Sequence, residues 1–120
     1  MSLQEIKPML YTRNVEQTVN FYTNSLGFKC TNFMDDWSWA AVARDDIEIM
    51  VASPNEHIPF DKPLFTGSFY ILTNAVQDLW DEIKEGVSIC YPLETFDYGM
   101  SEFAVYDNNG YMLQFGQPVD

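Results

Sequence analysis

The same order of secondary-structure signals runs twice along this chain. An extended apolar segment, Pro8 to Tyr11, precedes an amphipathic helix and three strand signals, and the order begins again at Phe69. In the first helix Val15, Val19, Tyr22 and Leu26 recur at helical spacing, with Phe21 widening the stripe into one apolar face. Asn14 is placed to cap it, with Gln17 three residues on, and Gly27 closes it. In the second helix Val76, Leu79, Trp80 and Ile83 form the stripe, and Gly86 ends it. The strands predicted after the first helix are Lys29–Met34, Trp37–Arg44 and Ile47–Ala52, with Asp45-Asp46 as a turn. Those after the second are Val87–Tyr91, Glu102–Tyr106 and Tyr111–Phe115. Asp107-Asn108-Asn109-Gly110 joins the last two and is the strongest hairpin signal in the chain, because Asn and Gly tolerate positive φ. Laying Tyr11-Thr12-Arg13-Asn14-Val15 over Leu72-Thr73-Asn74-Ala75-Val76 gives an offset of 61 residues, so a faint sequence repeat accompanies the repeated order.

Two βαβββ modules follow, 4–53 and 67–117, joined by a Pro-bearing linker at 54–66 within a single domain, 1–120. The fold class expected is α+β: a curved, largely antiparallel sheet with helices on the convex side. Its concave trough, lined by alternate strand residues, is the natural ligand site. An apolar share of 47% can build that core without metal or disulfide staples. Cys30 and Cys90 lack CxxC spacing and read as buried free thiols.

Charge narrows the partners. A net charge of −12 repels a phosphate backbone and an anionic membrane surface, so neither nucleic acid nor membrane is an expected partner. The balance fits solubility or a cationic ligand. No apolar run approaches the roughly 18 residues that span a bilayer. Gln4, Glu5 and Lys7 stand where a signal peptide needs an apolar run, so a cytoplasmic protein is expected. Gly99, Gly110 and Gly116 are scattered, each reading as a turn or strand-end residue, and no phosphate loop exists. Neither cysteine has an activating neighbour, and His57, in the linker between Glu56 and Ile58, is the only histidine. No catalytic residue is therefore expected. Asp35-Asp36 and Asp45-Asp46 read as solvated turn residues.

Pro8-x-Leu10, Arg13-Asn14-Val15, Phe21-Tyr22 and Leu26-Gly27-Phe28 resemble the opening of the vicinal oxygen chelate superfamily, the glyoxalase/bleomycin-resistance/dioxygenase proteins. Tyr98-Gly99, Glu102-Phe103, Asp107-x-x-Gly110 and a strand ending at Phe115 resemble its close. Enzymes of that family hold a divalent metal with His, Glu or Gln from the first strand of each module and a Glu on the last. The resemblance carries those positions onto Lys7, Ser68 and Gln114, with Glu48 at the place of a further acid. A protonated lysine has no lone pair, serine is a poor ligand, and one amide with one carboxylate falls short. No metal and no other cofactor is expected, and a Lys7–Glu48 ion pair would stand where the metal would have been.

What remains is an aromatic lining. Nine Phe, seven Tyr and three Trp exceed what a core of this size needs. If Gln114 faces the trough, as the resemblance implies, period-two alternation brings Met112 with it, leaving Tyr111, Leu113 and Phe115 under the helix. By the same parity Lys7, Met9 and Tyr11 share a face, as do Ser68 and Tyr70. Trp37 and Trp39 share one too, serving the ligand or, equally, a core or dimer interface. The ligand-binding residues expected are Met9, Tyr11, Trp37, Trp39, Glu48, Ser68, Tyr70, Tyr98, Met112 and Gln114. A metal-free, small-molecule-binding homodimer resembling the bleomycin-resistance branch is the first reading. Antibiotic resistance by sequestering a cationic or aromatic compound is what that resemblance implies. A metal-dependent lyase, isomerase or dioxygenase of the superfamily is the second, with ligands such as Glu48, His57 and Glu102. A protein-association module is the third.

Overall fold

The computed structural model describes residues 2–55, 57 and 60–119. Within the expected linker, residues 56, 58 and 59 lie outside them, as do 1 and 120. The chain divides into two compact units, Met1–Pro63 and Leu64–Asp120.

In the first unit, β1 (Met9–Tyr11) leads into α1 (Val15–Leu26), followed by β2 (Lys29–Phe33), β3 (Trp39–Arg44) and β4 (Ile47–Ala52). The sheet order is β1-β4-β3-β2. β1 runs parallel to β4, with Met9 opposite Met50, and the other two pairs are antiparallel. The caps of α1 follow the sequence. Asn14 Oδ1 accepts the Gln17 N–H at 2.9 Å, and Gly27 takes the left-handed φ of 73°. The buried stripe is Val15, Thr18, Val19, Tyr22 and Leu26, so Thr18 replaces the predicted Phe21, which is only half-buried. A hydroxyl is tolerated there because it donates back to the Asn14 carbonyl at 2.9 Å.

The second unit repeats the plan with β5 (Phe69–Leu72), α2 (Val76–Ile83), a 3₁₀ turn at Lys84–Gly86, β6 (Ser88–Phe96), β7 (Met100–Tyr106) and β8 (Met112–Pro118). Its order is β5-β8-β7-β6, again with one parallel pair, β5 with β8. α2 begins at Ala75 without a cap from its own sequence. Gln117 on β8 supplies one instead: its Oε1 accepts the Val76 N–H at 2.9 Å and its Nε2 donates to Asn74 O at 3.1 Å. The helix-side core stacks Phe115 on Phe103 (centroids 5.2 Å apart), and Trp80 meets Phe103 at a tilt (5.0 Å). The hairpin at Asp107–Gly110 forms as predicted. Gly110 has φ 88°, and Asp107 Oδ1 accepts the N–H groups of Asn109 and Tyr111 at 2.8 and 2.9 Å.

Four further expectations change. Trp37 is not in β3: it occupies a turn with φ 59°, its ring stacked on Phe33 at 4.9 Å, so Trp37 and Trp39 do not share a strand face. β6 runs on to Phe96, beyond the predicted Tyr91, because Pro92 falls in a register irregularity of a strand at the end of the sheet order, where a missing N–H is tolerated. Gly116 sits inside β8 rather than at its end. Cys30 and Cys90 are free, as expected, but half-buried.

Candidate functional site

The face of the second sheet that carries Gln114 is built around one acid. β7 reads Glu102-Phe103-Ala104-Val105, buried throughout, and Glu102 is only 2% exposed. Period two puts Phe103 and Val105 on the helix side and Glu102 on the other. Cross-strand register sets Gly116 opposite Glu102, Gln114 opposite Ala104, and Tyr70 opposite Gln114. A buried carboxylate needs partners. Tyr70 Oη donates to Glu102 Oε1 at 2.7 Å and Tyr91 Oη donates to Glu102 Oε2, and the Tyr98 hydroxyl lies near enough to favour the ionised carboxylate. Gln114 Nε2 donates to Tyr91 Oη at 2.8 Å, and Ser68 Oγ donates to Gln114 Oε1. Among the described residues every buried side-chain N or O has a hydrogen-bond partner.

Two backbone features make this convergence possible. A bulge between Ile89 and Tyr91 shifts the register by one, so that Ile89 faces Val105 but Tyr91 faces Ala104. Without it Tyr91 would share the Ile89 face and miss Glu102. Gly116 is the second. A Cβ built there would stand 2.8 Å from Tyr70 Cζ and closer still to its hydroxyl, so the missing side chain is what lets the phenol lie across β8.

The protonation states follow. Burial works to raise the Glu102 pKa, but the hydroxyls of Tyr91, Tyr70 and Tyr98 outweigh it and hold it below the ordinary value. Burial, then the neighbouring carboxylate, pushes Tyr91 up to about 12. The same causes lift Tyr70 well above the phenol range, and Tyr98 moves the same way. At neutral pH the face thus holds one anion ringed by neutral phenols. Phe96 extends it, stacked on Tyr98 at 5.4 Å and edge-on to Tyr91 at 5.9 Å.

Ser68, Tyr70, Tyr98 and Gln114, expected from sequence, come together here, with Met112 at the start of β8 on the Gln114 face by alternation. Glu102 and Tyr91 were not among the expected ligand contacts. A buried-type acid beside Phe103-Ala104-Val105 is the signal that points to Glu102; the bulge leaves no such signal for Tyr91.

In the first unit the Lys7–Glu48 ion pair is present at 2.9 Å, with Glu5 on the same ammonium at 3.4 Å. Hydrogen bonding to Glu48 raises the Lys7 pKa, so the nitrogen stays protonated. Met9 is exposed on β1. Tyr11 meets the Phe60 ring edge-on at 6.5 Å, and the Arg13 guanidinium lies over Phe60 at 5.3 Å. Trp39 opens β3 opposite Ala52, half-buried. Lys7, Ser68 and Gln114 do not form a divalent-metal donor set: one is an ammonium bound to Glu48, and the other two are neutral groups spent on each other. Among the described residues no three His, Cys, Asp or Glu side chains are grouped to hold a metal ion.

A pair of βαβββ units with mixed four-stranded sheets defines a two-module α+β fold shared by many proteins. The chain belongs to the Glyoxalase/Bleomycin resistance protein/Dioxygenase superfamily, whose family model matches residues 6–115. TioX from Micromonospora sp. ML1 has the same fold (TM-score 0.79, 16% identity, 97% of this chain and 99% of that one covered). So does a glyoxalase/bleomycin resistance protein/dioxygenase from Nocardioides (TM-score 0.77, 14% identity, 100% and 87% covered). A protein of the same description from Alicyclobacillus acidocaldarius is also similar (TM-score 0.76, 14% identity, 98% and 92% covered). At these identities the likeness is one of fold. No curated protein matches the chain in sequence. Among the described residues no helix is long and apolar enough to cross a membrane.

Proposed function

We propose that this chain is a metal-free small-molecule-binding protein, which takes a cationic or aromatic compound on the Glu102 face of its second module. The observation that carries the reading is a single ionised, buried carboxylate ringed by three tyrosines, two of them well exposed. Flat rings stack on phenols, and a cation gains both from the ring faces and from the charge behind them. The chemistry of the face also argues against catalysis: the phenols are protonated, those of Tyr70 and Tyr91 are committed to Glu102, and Glu102 is held ionised, so neither a poised base nor an activated nucleophile is present in the network. The net charge of −12 would speed capture of a cation and weaken with salt.

Proflavine, a flat aromatic cation, tests this. Titration should show one saturable site per chain, with tyrosine ring resonances of Tyr70 and Tyr98 shifting on binding. Gln114→Ala, which removes the partner of Tyr91 and Ser68, should weaken binding by about 0.5–1.5 kcal/mol. Saturation without any change at these tyrosines would remove the Glu102 face from the account.

A further inference from the structure

The geometry points to a ligand class: the charge of Glu102 fixes the hydrogen-bond polarity of its whole face, so that the face offers acceptors and takes flat compounds rich in N–H donors, such as amidines, guanidines or ring-borne ammonium groups. The inference rests on the small-molecule-binding reading above and names what that site would select.

An ionised carboxylate can only accept hydrogen bonds. Tyr70 and Tyr91 therefore each turn their single O–H proton toward Glu102. With its proton committed, Tyr91 Oη can only accept from Gln114, and Gln114 turns Nε2 toward it at 2.8 Å. A flipped Gln114 would set its oxygen against an oxygen with no proton to give. Gln114 Oε1 is thereby left facing Ser68, whose hydroxyl donates to it. One buried charge thus orients four side chains, carried by β5, β6, β8 and the segment before β5. On the hydroxyl oxygens, what this arrangement leaves over is lone pairs. Tyr70 and Tyr98 are 43% and 62% exposed, so both phenols present surface to an incoming group. Within the network, the unused donor is the second Nε2 hydrogen of Gln114. A carbonyl or carboxylate laid on this face would meet oxygen against oxygen; an N–H would not.

Three flat probes of similar size separate the possibilities: benzamidinium (donor), acetophenone (neutral acceptor) and benzoate (anionic acceptor). Each is titrated into protein carrying ¹³C-labelled tyrosine rings, with Tyr70→Phe and Tyr98→Phe assigning the resonances. Benzamidinium should bind at Tyr70 and Tyr98 at least about tenfold tighter than acetophenone, the difference a charge-assisted hydrogen bond supports. Glu102→Gln puts an amide, both donor and acceptor, at the centre and should cut that preference to about twofold or less. Glu85→Gln is the charge control, since Glu85 is exposed in the 3₁₀ turn after α2, off the strands that carry this face, and loses the same unit of charge. It should keep the preference. Should Glu102→Gln not fold, the wild-type comparison decides alone. Acetophenone or benzoate binding these tyrosines as tightly as benzamidinium would overturn the polarity inference and leave the binding reading standing. If none of the three perturbs them, the binding reading falls, and the inference with it. Equal loss of preference in Glu85→Gln would trace selectivity to bulk charge and would also overturn it.

Discussion

Gly116→Ala puts the packing of the candidate site to a quantitative test. Gly116 has no unusual backbone angle to protect; its role lies in the space it leaves. An alanine Cβ would stand 2.8 Å from Tyr70 Cζ and 3.0 Å from its Cε1, well inside van der Waals contact, so the ring must move. The 43% exposure of Tyr70 gives it an escape toward solvent, and the loss is then the hydrogen bond to Glu102 rather than a crushed core. Hydrogen bonds to charged groups contribute about 1.5–3 kcal/mol. Replacing a glycine inside a strand returns about 0.5–1 kcal/mol through backbone entropy. The net expectation is a destabilisation of about 1–2 kcal/mol, read from urea unfolding followed by tryptophan fluorescence. A second arm isolates the cause. In a Tyr70→Ala background the same substitution should be neutral or stabilising by up to about 1 kcal/mol, since no ring remains to displace. Equal destabilisation in both backgrounds would refute the steric argument, and so would a costless Gly116→Ala in the wild type.

Other expectations follow from the same geometry. Glu102 has a folded pKa below its unfolded value of about 4.3, so its contribution to stability is present above that value and is lost as pH falls through the folded pKa. Tyr70→Phe removes one of the hydroxyls that hold the pKa down and should move the acid-unfolding midpoint to higher pH; an unchanged midpoint would deny the linkage. Asn14→Ala should cost about 1 kcal/mol by removing the cap of α1, and Gln117→Ala a similar amount through the cap that β8 lends to α2, both measured by thermal or urea unfolding. Homodimerisation is expected as well, for an aromatic-rich chain with exposed Phe33, Met34, Phe65 and Leu72. Light scattering at micromolar concentration should give about twice the 13.9 kDa of one chain, and a clean monomer would contradict it.

Local chemistry made most of the fold legible. The two helices, the Asn14 and Gly27 caps and the Asp107–Gly110 hairpin each depend on residues close along the chain, and each lies where its residues predict, though Thr18 takes the buried place expected of Phe21. The features that escaped depend on partners far along the chain. The predicted strand stops at Tyr91, yet β6 runs through Pro92 at an irregular stretch because β7 pairs on either side. Trp37 sits at an alternation that suits a strand, but the tight turn from Phe33 to Trp39 takes it at φ 59°. The candidate site divides the same way. Strand parity brings Ser68, Tyr70 and Gln114 to one face. The Glu102 centre emerges only once β7 is paired between β6 and β8, and Tyr91 reaches it only through a one-residue bulge that no local pattern announces. The Lys7–Glu48 pair was legible because both positions could be counted from the family motif.

The proposal that this member of the superfamily works without a metal is tested most directly by calorimetric titration of chelator-treated protein with zinc, nickel and manganese ions. With Lys7 held on Glu48, and Ser68 and Gln114 bonded to each other, the account predicts no stoichiometric uptake and no rise in melting temperature when the ions are added. One tightly bound ion per chain, lost in Gln114→Ala, would contradict it.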